Sequence, residues 1–395
     1  MSSLGSAQAP PVLLRNDPRA RALFYQIVLL ALILWLGFEF ARNARTNLAA
    51  QGIGSGFGFL ANTAGFGVNQ SLIPYNESDS YGRIFLVGLL NTLLVSGLGI
   101  VIATFLGFFI GIARLSPNWP LARLASGFVE LMRNLPLLFH ILFWYLAVLG
   151  TLPPPRQSIS LFGGIFLNNR GLIVPAPIAG EGAGLVLDAF IAGCLASIGL
   201  RFWAKRRQNR TGRQFPIGWC GLALILGIPL LILAAAGFPI AFERPQLRGF
   251  NFVSGIRLNP ELVALLTALS LYTAAFIAEI VRAGVLAVSR GQAEAAFALR
   301  LRRGLALRLV IVPQALRVIV PPLTNQYLNL TKNSSLAIAI GYPDLFAVFA
   351  GTTLNQTGQA IEIIAMTMGV YLLLSLLTSA VMNWYNVWIG RADRR

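Results

Sequence analysis

A chain of 395 residues that is 56% hydrophobic and 11% charged, with a mean hydropathy of +0.70, lies outside the range of ordinary water-soluble domains. Its formal net charge of +17 raises nucleic acid as a partner, but the placement of the basic residues excludes that reading. One histidine and two cysteines are too few and too scattered for a zinc site or a Cys–His nucleophile.

Four windows, 84–113, 134–155, 214–242 and 363–390, contain no Asp, Glu, Lys or Arg. Each exceeds the ~20 residues a helix needs to cross a bilayer, which predicts an all-α polytopic membrane protein. Spans are expected near 22–40, 84–113, 134–150, 183–203, 216–238, 258–287, 308–331 and 362–388, about eight transmembrane helices. With both termini cytoplasmic, the segments on that side hold 21 of the 31 Lys and Arg residues and the opposite side holds nine. That bias is the positive-inside rule, so the basic charge reports orientation in lipid and not a polyanion.

In chain order, residues 1–21 read as a polar cytoplasmic tail. The span at 22–41 is too long for a signal-peptide core and is followed by Arg42 and Arg45, so it reads as a retained anchor, with Glu39 reaching the interface. Residues 43–83 form a Gly- and Asn-rich outer loop, either a plain connection or part of a docking surface for a soluble binding protein. The next span carries Gly88, Gly97, Gly99, Gly107 and Gly111, small residues that let helices approach closely in lipid. A basic turn at 114–133 leads to a span holding His140, the lone histidine, either a bundle-facing hydrogen-bond partner or a substrate contact. Residues 151–257 read as a Pro-rich outer loop and two further spans joined by a basic loop at 201–213. Cys194 and Cys220 there read as small apolar side chains. In the span that follows, Glu279 and Arg282 lie three apart and are expected to pair with each other, or else with partner subunits.

The stretch 294–313 (EAAFALRLRRGLALRLVIVP) interrupts this apolar pattern. Phe297, Leu301 and Leu305 recur every four residues, predicting a helix with one apolar stripe. Glu294 would sit in its first turn, with Arg300, Arg302 and Arg303 near its far end, and Gly304 would stop it. It reads either as a solvated basic loop that fixes topology or as a short helix pressing on a partner outside the membrane. Beyond it, Pro313, Pro321 and Pro322 predict a kinked or broken span. Asn325, Asn329, Lys332 and Asn333 share one side of that span, and Ser334 and Ser335 follow. Such groups avoid lipid, so this side lines a translocation path or gate, or else an interhelical hydrogen-bond seam. The apolar run 334–342 is too short to span and Pro343-Asp344 follows it, which fits a re-entrant segment with Asp344 capping a short helix from Leu345.

Glu294-Ala295-Ala296 together with Ile311-Val312-Pro313-Gln314-Ala315-Leu316 resembles the EAA loop of permease subunits in bacterial ATP-binding-cassette importers. The run PPLTNQYLNLTKNSSLAIAIGYPDL, with GLLNTLLVSGLG from Gly88, VELMRNLPLLFHILFWYLAVL from Val129 and YTAAFIAEIVRAG from Tyr272, is similar to the polar and general L-amino-acid branch, in the same order. The resemblance covers most of 84–390. It implies a type I permease core with an extra N-terminal helix at 22–41 and an insertion at about 151–257. It also implies a bacterial inner-membrane location, separate ATPase subunits that hold ATP and Mg, a second permease subunit of different sequence, a periplasmic amino-acid-binding protein, membrane lipid around the bundle and an L-amino acid as cargo. One departure stands out: the family commonly has Gly six residues after the Glu, and here that position is Arg300, so the helix is expected to continue to Gly304. No G-x-x-x-x-G-K-[ST] loop is present to cradle phosphates. A stand-alone secondary transporter would call for intramembrane acids and inverted repeats, and only Asp188 and Glu279 lie away from span ends. A membrane enzyme or scaffold lacks any catalytic constellation.

Overall fold

The structure is a computed structural model that describes residues 18–50, 56–162, 164–180, 183–212, 215–235 and 240–391. The tail expected at 1–21 lies outside the described residues up to position 17. Its last four residues already belong to the first helix, α1 (Pro18–Ala50). That helix runs nine residues past the boundary expected at 41, because ARNARTNLAA is built mostly from strong helix formers. There follow α2 (Tyr81–Arg114), capped by the Ser80 side chain, and α3 (Trp119–Asn134). At Leu135-Pro136 the chain bends by 107° into α4 (Leu137–Leu149). The bend has a local cause: Pro136 forces the preceding Leu135 into an extended conformation (φ −104°, ψ 138°). The expected span at 134–150 therefore starts at Leu137 and is short.

Strands β1 (Ile159–Leu161), β2 (Ile165–Asn168), β3 (Gly171–Val174) and β4 (Ala176–Ala179) precede α5 (Ala183–Thr211) and α6 (Ile217–Ala235). Strands β5 (Ile240–Glu243), β6 (Gln246–Arg248), β7 (Asn251–Val253) and β8 (Ile256–Leu258) come after them. The bundle resumes with α7 (Pro260–Leu286), α8 (Arg290–Ala298), the long α9 (Arg303–Ile340), α10 (345–357) and α11 (Ala360–Arg391). Seven helices are long and apolar enough to cross a membrane, or eight if the bent α3–α4 pair is one span.

To this mostly helical architecture the structure adds a small β-cap that the sequence reading took for loop. All pairings are antiparallel: β1-β2-β3-β8 form one sheet, with β4-β5 and β6-β7 as two-stranded ribbons. Because β8 pairs with β3, Leu258 opposite Leu172, the chain before the α5–α6 hairpin is stitched to the chain after it. Gly171 permits this: its φ is 108°, and a side chain there would strike the Leu258 carbonyl. The basic stretch at 201–213 is not a loop either. Lys and Arg are good helix formers, and α5 carries them as helix to Thr211.

The proline-rich span is likewise unbroken. Helix α9 widens to a π-turn over Leu307–Ile311, runs as α-helix through Pro321 and Pro322, and tightens to 3₁₀ over Ser334–Ile340. The π-turn holds Leu309, whose carbonyl Pro313 would otherwise meet, and so accommodates the proline without breaking the helix.

Close approach of α2 to α7 holds the centre together. A Cβ at Gly107 would stand 2.6 Å from Ile277, and one at Gly111 2.8 Å from the Ala278 carbonyl. Gly284 of α7 packs directly against Ile319 of α9 in the same manner. These contacts replace a hydrophobic driving force, which is weak between helices in lipid. Gly107→Leu is expected to destabilise the detergent-solubilised protein by about 1–3 kcal/mol through overpacking. Gly97→Leu, where a Cβ meets nothing within 4 Å, should leave the unfolding midpoint unchanged; thermal denaturation of both variants checks the contrast.

Candidate functional site

Helix α8 and the start of α9 form an elbow. Helix α8 begins at Arg290, so Glu294 lies in its second turn and not in its first. Glu294 and Ala295 are exposed, while Ala296 is buried at 3%. The helix does not continue to Gly304. It ends at Ala298 through a pair of backbone bonds, Leu301 N–H to Ala296 O (3.1 Å) and Arg300 N–H to Phe297 O (2.9 Å). This is a Schellman stop, and it requires a left-handed residue in the position that Arg300 holds, with φ 56°. The expectation failed because the hydrogen-bonded stop outweighs the cost of a non-glycine residue in that conformation. It also breaks the expected apolar stripe: Leu301 lies in the turn, and Phe297 and Leu305 are exposed on separate helices. Arg302 precedes α9, Arg303 is its first residue, and Gly304 lies inside it with open space around it. Pro313 follows the π-turn, and next to it Gln314 Nε2 donates to Gln292 Oε1 (3.2 Å), tying α9 back to α8.

Further along α9 the structure separates the remaining candidates. Val318, Pro321, Pro322, Asn325, Asn329 and Lys332 form one exposed stripe. Ala315, Ile319, Val320, Leu323 and Leu330 are buried on the opposite side. Asn333 is half-buried at the edge of the stripe. Ser334 is fully buried and donates to Thr331 O (2.8 Å), and Ser335 donates to Lys332 O (2.8 Å), so both hydroxyls are spent on their own helix. His140 is also off the stripe: it is buried, its Nε2 lies 3.2 Å from Met132 O, and its ring packs near Tyr272.

Sequence reasoning missed the pair that holds the re-entrant turn. Asn91 and Thr92 of α2 are both fully buried. Asn91 Nδ2 donates to Pro343 O (2.9 Å) and to Gln70 O (3.1 Å), and Thr92 Oγ1 accepts the Leu345 N–H (3.0 Å). The signal was present as two adjacent polar residues in a charge-free span. The cap expected at Asp344 is formed: Oδ1 accepts the Ala347 N–H (2.8 Å), and Oδ2 accepts the Tyr371 hydroxyl (3.1 Å). Above this turn a cavity of about 700 Å³ opens between residues 66–69 and α10, lined by Asn69, Thr352, Asn355 and Gln356 among others. The Glu279–Arg282 pair (2.8 Å) is formed too, and it is larger than expected, since Arg114 of α2 bonds the same carboxylate and Arg133 of α3 lies 3.8 Å away. One carboxylate thus ties α2, α3 and α7 at the elbow end of the bundle.

Residues 99–392 match the family described as binding-protein-dependent transport system inner membrane component, and the chain belongs to that family. It is 51% identical over 378 residues to the general L-amino acid transport system permease protein AapQ of Rhizobium johnstonii, covering 96% of this chain and 94% of that one. It is 53% identical over 381 residues to the putative amino-acid ABC transporter permease protein YhdX of Escherichia coli, covering 96% of both. To the glutamate/glutamine/aspartate/asparagine transport system permease protein BztB of Rhodobacter capsulatus it is 43% identical over 414 residues, again covering 96% of both. The chain is therefore a multi-pass inner-membrane permease component, and the ATPase of such a system is a separate subunit.

Two substitutions test the local geometry. Arg300→Gly should stabilise the elbow by up to ~1 kcal/mol, whereas Arg300→Ala should not, because Ala also resists positive φ. Slower hydrogen exchange at the 300 and 301 amides in the Gly variant alone is the expected result. Asp344→Ala removes a helix cap and one of the hydrogen-bond partners of the Tyr371 hydroxyl, so a loss of about 1–2 kcal/mol is expected in thermal denaturation. Asp344→Asn, which keeps an acceptor, should lose less.

Proposed function

We propose that this permease carries L-amino acids through a path lined by the exposed stripe of α9, driven by ATPase subunits that grip the α8–α9 elbow. The observation that carries the reading is the stripe itself. Two amides and an ammonium on a membrane-length helix, with apolar residues on its other side, call for water, cargo or a second permease subunit in front of them. In this reading the facing subunit is a different permease chain, ATP and Mg lie on the ATPase subunits, and residues 151–257 are an addition to the core. The elbow and both termini are cytoplasmic, in keeping with the excess of basic residues on that side. The loop 56–80, the cavity over α10 and the β-cap then face the periplasm, where an amino-acid-binding protein delivers its cargo.

The mechanism follows from continuity. Helix α9 is one rod from Arg303 in the elbow to Ile340 at the re-entrant turn, 38 residues or roughly 57 Å at helical rise. Closure of the motors displaces the elbow, the rod transmits the displacement, and the turn held by Asn91 and Thr92 shifts between open and closed arrangements. Uptake of radiolabelled amino acids by proteoliposomes containing the whole importer tests this. Asn329→Leu and Lys332→Met should each lower ATP-driven uptake about tenfold or more, the worth of one charge-assisted hydrogen bond. Uptake by the permease alone, without ATPase, would overturn the reading.

A further inference from the structure

The transport mechanism gives the β-cap no part, and the surface of the cap has a distinct chemistry. Arg156, Arg170, Arg244, Arg248 and Arg257 are all exposed on it, and Glu243 is the one acid among the described residues of 151–180 and 240–258. No ion pair among the described residues involves any of these arginines. Two of them are committed to the cap itself. Arg156 stacks over Phe250 at 4.0 Å and donates to Gly249 O, and Arg170 bonds the Asn251 side chain. The side chains of Arg244, Arg248 and Arg257 are exposed and form no such bond among the described residues, and Arg257 also lines the cavity between the cap and the bundle.

An apolar anchor accompanies the charge. Phe162, in the turn between β1 and β2, is 99% exposed and held at φ 51°, a conformation that a bulky aromatic residue rarely adopts. Arginine with exposed phenylalanine is the composition of protein–protein interfaces. The platform beneath is firm: Phe166 stacks on Phe252 at 4.6 Å, and β8 closes the sheet against β3.

Position decides what such a surface meets. Strand β8 ends two residues before α7, and the elbow begins after α7, so one 27-residue helix, roughly 40 Å long, separates the cap from the elbow. A cavity of about 650 Å³ lies between the cap and the bundle, and Asn69 lines both it and the cavity over α10. Asn259, at the foot of the cap, donates to the Asn69 carbonyl. A body seated on the cap thus adjoins both cavities, and the Asn259–Asn69 bond ties the foot of the cap to the residue that lines them both.

We propose that the β-cap is the docking surface for an acidic face of the importer's soluble binding protein, and that Arg244, Arg248 and Arg257 select that partner by charge while Phe162 anchors it. This rests on the importer reading above, which supplies a soluble partner on that side. Charge complementarity of this kind acts mainly on the rate of encounter and is screened by salt.

The test uses the intact importer, both permeases with the ATPase, in lipid nanodiscs, with its amino-acid-binding protein in solution. R244E/R248E/R257E should slow association about tenfold or more at low salt and converge with the parent at high salt, with ATP hydrolysis in the absence of binding protein unchanged. Phe162→Ser should raise the dissociation rate. If the triple reversal does not assemble, R244Q/R248Q/R257Q carries the same test with a smaller effect. Association equal to the parent at low salt overturns the cap assignment, as does a loss that salt does not erase. So does a variant that loses binding only to phosphatidylglycerol vesicles, which would make the cap a lipid-facing surface. A parent complex that does not bind the protein at all overturns the importer reading, and the cap assignment with it.

Discussion

In hydrocarbon no water is present to satisfy a polar group, and this constraint arranges the α9 region of the molecule. Helix α9 obeys it on two sides in different ways. Its buried side is apolar from Ala315 to Leu330 and meets α7 through the interlock of Gly284 with Ile319. Its exposed side keeps Asn325, Asn329 and Lys332. The serines that follow illustrate the same rule from the other direction. Ser334 and Ser335 turn their hydroxyls onto the carbonyls of Thr331 and Lys332, which removes them from the list of groups needing a partner.

The re-entrant turn is the second place where the constraint decides the structure. A chain that enters the bundle and reverses leaves backbone groups without helix partners, and α2 supplies replacements from Asn91 and Thr92 while Asp344 caps α10. Gly341, in the left-handed conformation at φ 74°, ends the 3₁₀ segment and starts the reversal. These few side chains explain why α2 tolerates adjacent polar residues in the middle of a charge-free span. The turn is held at defined points, by Asn91, Thr92 and Asp344.

Features governed by composition over long windows were legible in the sequence, namely the spans, the basic elbow and the polar side of α9, and so was the cap at Asp344, where the residue type itself is the signal. Features set by single backbone bonds were not. Arg300 looked like a reason for the helix to continue, because sequence reports the side chain's preference and not the carbonyls waiting at Ala296 and Phe297. The prolines of α9 pointed to a kinked or broken span, and the helix is not broken, since the π-turn that accommodates Pro313 has no sequence signature of its own. The strands of the β-cap, three or four residues each, were too short to stand out. In retrospect ISLFGGIFLNNRGLIV alternates apolar runs with glycine and asparagine turns in the manner of two hairpins. The Arg114 and Arg133 partners of Glu279 were beyond reach, because the sequence separates them from it by more than 140 residues and only packing brings them together.

In the proposed mechanism, whether a displacement at the elbow reaches the re-entrant turn depends on where the structure can give. Slippage between α7 and α9 is blocked by Gly284 and Ile319, slippage between α2 and α7 by Gly107 and Gly111 against Ile277 and Val281, and the elbow itself is tied by Gln292 to Gln314. Packed cores of this kind shift between arrangements and do not deform continuously. The helices α2, α7 and α9 are therefore expected to move as one body, carrying the Glu279 cluster with them and changing their relation to what faces the exposed stripe. In that proposed mechanism the moving boundary would run along the stripe. It also gives the polar residues a reason to be there: a surface that opens and closes in a bilayer is wetted in one of its states, and amides and an ammonium tolerate both wetting and contact where apolar side chains favour only the closed one.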